Sequence, residues 1–106
     1  MNAWVWTWGG TSFGFLDGDA LFTHDGRHVG FLDLDGGHLL IFAVADGRYL
    51  GEVKDGDRLI TKHSRLNRRR SRRARRTNRM ARMRRMNRMP RMMRIGYEEF
   101  PAPEHL

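Results

Sequence analysis

Apolar and polar residues alternate in short runs through the first sixty positions, and turn-forming residues separate the runs. Residues 4–8 alternate with period two and place three tryptophans on one face. Further apolar runs occupy 13–16, 20–23, 29–32, 39–44, 50–53 and 59–61, with Gly or Asp-Gly between most of them. Period two is the spacing of a strand, whereas each glycine inside a helix costs about 1 kcal/mol. The pattern therefore predicts about seven short strands joined by tight turns.

A five-residue motif recurs at 10–14, 26–30 and 47–51, with a glycine at each end and an apolar residue before the second glycine. We interpret the first glycine as a turn residue with positive φ. The second lies inside an apolar run, where glycine marks a bulge, a bend or a close backbone approach. The motif therefore gives a structural role to Gly10, Gly14, Gly26, Gly30, Gly47 and Gly51.

Longer stretches also repeat, because residues 18–24 resemble 56–62. A repeat of about twenty residues corresponds to one hairpin, which cannot bury its apolar face alone. We expect an all-β fold, a small shallow barrel or radial array of hairpins. The first and seventh strands of a meander run the same way. Closure therefore requires a parallel or irregular contact, or an extra strand from 95–97, with Phe100 beyond it.

Charge divides the chain into three segments. Residues 1–61 carry nine acidic and four basic side chains and form the predicted hairpin-repeat domain. Residues 62–94 form an arm with one lysine, fifteen arginines and no acid, and 95–106 form a short acidic tail. The chain has no cysteine, which excludes disulfides and thiolate metal sites. No signal peptide or long apolar run is evident. We expect a cytoplasmic protein, with the inner face of a membrane as its alternative location.

An Arg-Met pair recurs every three residues through the second half of the arm. Three residues do not form an α-helical stripe, because each triplet slips by about 60° around the helix. A three-residue turn matches an extended polyproline-type ribbon, with methionine on one edge and arginine on another. Self-repulsion and the helical propensity of these residues favour instead a mostly disordered or partly helical tail.

Guanidinium groups match phosphate bidentately, in lipid headgroups and in nucleic acids alike. We therefore predict that the arm binds a polyanion. The predicted binding residues are Arg68, Arg69, Arg70, Arg72, Arg73, Arg75, Arg76, Arg79, Arg82, Arg84, Arg85, Arg88, Arg91 and Arg94.

No catalytic residue, metal site, cofactor or small-molecule substrate is predicted. The Asp pairs 17/19, 33/35 and 55/57 lack the further ligands of a calcium loop, and we interpret them as turn residues. His24, Asp25, His28 and His38 are scattered over different hairpins. Ser12, His28 and Tyr49 occupy one repeat position, which we interpret as a surface position. We expect Trp4, Trp6 and Trp8 in the barrel core or rim, with a lipid interface as the alternative.

The Trp-Thr-Trp-Gly-Gly opening, Asp-Gly-Arg-His-Val-Gly and Asp-Gly-Arg-Tyr-Leu-Gly resemble the small bacterial proteins called four-fold β-flowers. The resemblance covers about residues 4–61. It implies hairpins arranged around a shallow barrel with an apolar channel, a shape similar to the tubby and scramblase barrels. It implies no reaction.

Three functions fit this sequence. The first is a non-enzymatic protein that associates peripherally with anionic lipid through the arm and an apolar barrel mouth. The second is a nonspecific nucleic-acid binder that tracks phosphates with the arm. The third is a structural module in which the acidic barrel pairs with basic arms of neighbouring copies.

Overall fold

Eight strands form one sheet in the order of the sequence. The computed structural model describes residues 2–71 and 73–106. The strands are β1 (Asn2–Thr7), β2 (Ser12–Asp17), β3 (Ala20–Thr23), β4 (His28–Asp35), β5 (His38–Ala43), β6 (Tyr49–Lys54), β7 (Arg58–Lys62) and β8 (Tyr97–Glu99). Single 3-10 turns lie at His63–Arg65, directly after β7, and at Pro103–His105, after β8. The prediction of an all-β barrel is confirmed.

The barrel closes through a short parallel contact between β1 and β7, in which Trp6 pairs with Arg58 and Thr7 with Leu59. Arg58 is buried at this junction, and its guanidinium donates to the carbonyls of Thr7 and Trp8. These bonds matter because a two-residue ladder leaves carbonyls that need partners. Of the two routes predicted for closure, the parallel contact joins the ring, and the extra strand is present as well.

Strand β8 pairs with the free side of β7 in antiparallel register, from Ile60–Glu99 to Lys62–Tyr97. It begins two residues after the predicted start at 95. Phe100 follows it into the barrel core and meets the ring of Phe13 edge-on, with 5.3 Å between the ring centroids. The acidic tail is therefore packed against the hairpin repeats.

Each copy of the glycine motif carries a β-bulge at the same place. The register shifts opposite Phe13, Val29 and Leu50, the residue directly before the second glycine in each copy. All three side chains point into the core cluster of the barrel. The second glycine also allows close approach, because a Cβ on Gly14 would lie 2.0 Å from the carbonyl oxygen of Phe22. Of the bulge, the bend and the close approach predicted for this glycine, the bulge and the close approach are found.

Apolar side chains occupy both faces of the barrel wall. The inner cluster contains Val5, Phe13, Leu16, Leu21, Val29, Leu32, Ile41, Ala43, Leu50, Leu59 and Phe100. Separate clusters contain Phe31, Leu40, Phe42, Val44 and Tyr49, and Phe15, Ala20 and Phe22 with Trp4 against them. Because strand residues alternate between faces, these separate clusters lie on the outer wall. Something other than the barrel interior must cover them.

Candidate functional site

The arm encircles the barrel and returns to the strand from which it left. We call its described residues, 66–71 and 73–94, the girdle. Along the girdle, successive arginines contact β6, β5, β4, β3, β2, β1 and the β6–β7 hairpin, so the circuit passes every strand of the ring. The described residues of the arm contain no regular helix beyond the turn at His63–Arg65. This course agrees with the extended ribbon, and no partly helical segment is found in 66–71 or 73–94.

The girdle meets the three glycine motifs at intervals of nine residues. Arg70, Arg79 and Arg88 each donate a backbone N–H to the carbonyl of the first motif glycine, at 2.8 Å in all three cases. The acceptors are Gly47, Gly26 and Gly10 respectively, so the girdle passes the repeats in reverse order. One nine-residue segment of the girdle therefore matches one hairpin repeat of the barrel.

The first motif glycine has two reasons to be glycine. Its φ is positive in every copy, 92° at Gly10, 82° at Gly26 and 77° at Gly47, as predicted. A Cβ would also collide with the girdle backbone, because it would lie 1.8 Å from the carbonyl oxygen of Arg79 at Gly26. The corresponding distances at Gly10 and Gly47 are 2.0 and 1.9 Å. The sequence predicted the turn but not the second segment that lies on it.

Every third residue of the girdle faces the barrel. This inward row is Arg70, Arg73, Arg76, Arg79, Arg82, Arg85, Arg88, Arg91 and Arg94. The next row along the ribbon is Met80, Met83, Met86, Met89 and Met92, which are 85–91% exposed. The predicted ribbon with methionine on one edge and arginine on another is what the structure contains.

The inward guanidiniums lie over aromatic rings of the outer wall. We call these rings the belt: Trp4, Trp6, Trp8, Phe15, Phe22, Phe31 and Phe42. The shortest distances from guanidinium carbon to ring centroid are 3.6 Å for Arg88 on Trp6 and 3.9 Å for Arg82 on Phe15. Such contacts contribute about 0.5–2 kcal/mol each, more where water is excluded. The girdle is thus the cover of the outer apolar wall.

The three Asp pairs at the hairpin ends bind arginines of the girdle, most of them from the inward row. Asp33 binds Arg70 at 2.7 Å and Asp17 binds Arg79 at 3.0 Å. Further pairs join Arg68 to Asp35, Arg73 and Arg76 to Asp19, Arg88 to Asp57 and Arg91 to Asp55. Exposed pairs of this kind contribute about 0–1 kcal/mol each, so their number matters more than any one of them. The turns were predicted from the sequence, whereas the ion pairs within one chain were not. The opposite charges of the two segments had suggested pairing only between neighbouring copies.

Two of the three tryptophans are sealed under the girdle. Trp6 donates its indole N–H to the carbonyl of Met86 and Trp8 donates to Met92, both at 3.0 Å. Trp4 is half-buried beneath Arg82 and Arg85. All three lie on the outer wall of the barrel, where Trp6 and Trp8 are buried. The lipid-interface alternative stays a prediction.

The repeat position shared by Ser12, His28 and Tyr49 was predicted to lie at the surface, and that prediction was wrong. The three residues are 2–3% exposed because the girdle covers them. Nδ1 of His28 accepts a hydrogen bond from the backbone N–H of Arg76 at 2.9 Å, and Nε2 lies 2.8 Å from the carbonyl of Gly30. Burial lowers the pKa of His28, and Arg76 and Arg75 lower it further. The neutral ring, donating at Nε2, satisfies both bonds.

A second histidine, His24, lies beside the girdle and lines a cavity of about 570 Å³ with Arg82 and Arg84. Its Nε2 is 2.9 Å from Oγ of Ser12. Burial lowers the pKa of His24, with Arg84 as the second cause. Among the residues that the structure describes, none supplies the carboxylate partner at Nδ1 that orients a catalytic histidine. We interpret the Ser12–His24 contact as a buried polar pair.

A third row of the girdle contains arginines that turn away from the belt. Arg69, Arg75 and Arg84 are exposed and make no ion pair with the residues that the structure describes. Arg72 lies outside those residues. The remaining arginines of the predicted polyanion site are placed against the barrel, so the structure divides that site into a bound row and an outward row. Polyanion binding itself stays a prediction.

Among residues 2–71 and 73–106 no group of three or more His, Asp or Glu side chains is arranged to hold a metal ion. Within the same residues no helix has the length and apolarity required to cross a bilayer. The chain matches no protein-family model, no curated protein and no solved structure. The resemblance to the β-flowers therefore remains a prediction that rests on the repeated motif.

Proposed function

We propose that this is a non-enzymatic binding protein that associates peripherally with anionic lipid surfaces through the outer edge of its girdle. The observation that carries this proposal is the methionine row, five unbranched apolar side chains that are 85–91% exposed. At about 3.1 Å per residue in an extended ribbon, neighbouring methionines are about 9 Å apart. Ile95, also fully exposed, continues the row. Large apolar side chains left exposed in a regular row between charged residues are a feature of interaction sites.

The division of the arginines favours lipid over nucleic acid. Most guanidiniums of the girdle are engaged by the aspartates and rings of the same chain. A phosphate-tracking protein needs free cations, and it has no use for an apolar edge. A lipid surface uses both parts of what remains exposed. Methionine enters the apolar boundary, and outward arginines attract headgroups by about 1 kcal/mol each.

The expected location follows from the same chemistry. The cytoplasmic leaflet carries the anionic lipids to which basic segments are attracted. We therefore place the protein in the cytoplasm, at the inner face of the membrane when bound. This proposal rests on the methionine edge, and a contribution from the apolar barrel mouth stays a prediction.

The test is co-sedimentation with anionic and with neutral liposomes at two salt concentrations. One variant replaces Met80, Met83, Met86, Met89 and Met92 with Ser, which keeps every charge. The control variant replaces Ala74, Thr77, Asn78 and Ala81 with Ser, which also keeps every charge and leaves the methionine row intact. We expect the parent and the control to remain on anionic liposomes at moderate salt, because apolar burial is not screened.

The methionine variant should leave the anionic liposomes at lower salt than the parent. If both leave at the same salt, the girdle attaches by charge alone and the lipid proposal loses its support. Duplex DNA in the same assay measures the alternative directly. Stronger retention on DNA than on anionic liposomes at both salt concentrations would favour the nucleic-acid function.

A further inference from the structure

The belt recognises a chemical pattern that is repeated along the girdle. Nine inward positions, from 70 to 94 in steps of three, all hold arginine. Each meets a ring or a carboxylate of the barrel, as Arg73 meets Phe31 at 4.2 Å and Asp19 at 3.2 Å. The backbone contacts to Gly47, Gly26 and Gly10 recur with the same 2.8 Å distance every nine residues. The features required of the occupant are therefore an extended chain and a guanidinium at every third residue.

The girdle is held by its ends as well as by the belt. It leaves the barrel after Lys62 and returns beside the same residue, which pairs with Tyr97. The backbone N–H of His63 donates to the carbonyl of Gly96 at 2.8 Å. Phe100 then anchors the returning chain in the core. Release of the three-residue strand β8 and of Phe100 would free the C-terminal end of the girdle and leave only the belt contacts to hold it.

We infer that the belt is a docking site for an extended chain with arginine at every third residue, and that its partner in trans is the girdle of a second copy. Charge complementarity supports this choice of partner, because the hairpin segment has nine acidic against four basic side chains and the arm has no acid. A second copy offers the same nine-residue match to the three glycine motifs. The inference gives the self-association alternative a defined surface and does not depend on the lipid proposal.

The cis girdle competes with any partner, since a tethered segment has an effective concentration on the order of 1 mM or more. The experiment therefore uses the full chain with Phe100→Ala, which weakens the anchor and leaves the belt intact. The probe is a labelled synthetic peptide of residues 66–94, followed by fluorescence anisotropy. A full chain with Tyr97→Gly, which weakens β8 without touching the core, is measured in parallel.

Two matched peptides separate pattern recognition from charge. The inward peptide carries Arg79→Lys, Arg82→Lys and Arg88→Lys, and the outward peptide carries Arg69→Lys, Arg75→Lys and Arg84→Lys. All three peptides have the same charge, but lysine loses the planar stacking and the forked hydrogen bonds of arginine. We expect the inward changes to weaken binding about tenfold and the outward changes less than twofold. Equal weakening by the two sets would overturn the inference.

Self-association is measured on the full chains by sedimentation equilibrium. We expect the Phe100→Ala and Tyr97→Gly chains to dimerise with rising concentration, and the added peptide of residues 66–94 to dissociate the dimers. Adding Arg79→Lys, Arg82→Lys and Arg88→Lys to the same chains should reduce dimerisation by a factor comparable to the loss seen with the inward peptide. Dimers that resist the peptide, or chains that stay monomeric while retaining a β-type circular dichroism spectrum, would contradict exchange of the girdle.

Discussion

At the scale of single residues, Gly26 and His28 contact the girdle in addition to their roles in the local backbone. Gly26 was identified from its motif as a turn residue, and its φ of 82° agrees. Its contact with the backbone of Arg79 could not be predicted, because the sequence around the turn does not indicate which distant segment packs on it. Arg79 lies 53 positions later in the chain. The burial of His28 was missed for the same reason. The pattern of one strand does not show what covers its outer face.

Substituting alanine at Gly26 tests the contact apart from the turn. Gly56 is the matched control, because its φ of 83° is nearly the same and a Cβ there has nothing within 4 Å. Both substitutions should cost about 1–2 kcal/mol for the left-handed backbone. Gly26→Ala should cost about 1 kcal/mol more, since the girdle must move and the bond from Arg79 N–H is lost. Urea unfolding of the two variants measures the difference, and equal costs would exclude a girdle contact at Gly26.

The pKa of His28 makes the covered state sensitive to acid. Its folded pKa lies below the ordinary value of 6.5, so the unfolded chain binds the proton more readily. This part of the stability is therefore present above pH 6.5 and is lost as pH falls below it, until the folded pKa is also passed. We expect a lower free energy of unfolding at pH 5 than at pH 7.5. The difference in the free energy of unfolding between the two pH values should be smaller in His28→Gln, and His24 should account for the rest of it. If the difference is unchanged in this variant, protonation of His28 is not its cause.

At the scale of elements, the period-two runs, the turns and the threefold motif were sufficient to predict the strands. They also indicated the bulges, because an apolar residue before an in-strand glycine is what each bulge contains. Two routes of barrel closure were left open, because no local sequence pattern indicates the hydrogen bonds that Arg58 makes at the β1–β7 junction. The triplet pattern predicted an extended ribbon as one alternative. It could not indicate docking, because the partners of its arginines lie on seven different strands and turns.

The segment that contains β8 and the following Phe100 is expected to contribute strongly to stability. Removing a buried phenylalanine ring from a core costs about 3–5 kcal/mol. Phe100→Ala should therefore lower the melting temperature markedly. Ile95→Ala is the control from the same segment, because Ile95 is fully exposed and should change the melting temperature little. A similar small shift for both would show that the tail does not fasten the barrel, and residues 4–61 would then be expected to fold alone.

At the scale of the whole molecule, the net charge of +8 is the sum of oppositely charged segments that lie against each other. The arm alone has sixteen positive charges, but the aspartates of the hairpin ends neutralise much of its inward row. Composition gives the charge of the arm but does not show that part of this charge is paired within the same chain. The folded chain presents instead a smaller outward set of arginines and a row of methionines, so its behaviour toward polyanions should differ from that of the isolated arm.

Duplex DNA measures this difference through its salt dependence. The logarithm of the binding constant falls with the logarithm of salt concentration by about 0.9 per phosphate neutralised. A peptide of residues 66–94 has every guanidinium free and should give a steep slope. The full chain should bind more weakly, with a slope near −3 if it uses only the three described outward arginines. Neither should discriminate between DNA sequences, because the arm has no base-reading element. If the full chain gives the slope of the peptide, the girdle leaves the belt when it meets a polyanion. The ion pairs of the hairpin ends would then be a resting state of the arm, which nucleic acid can open.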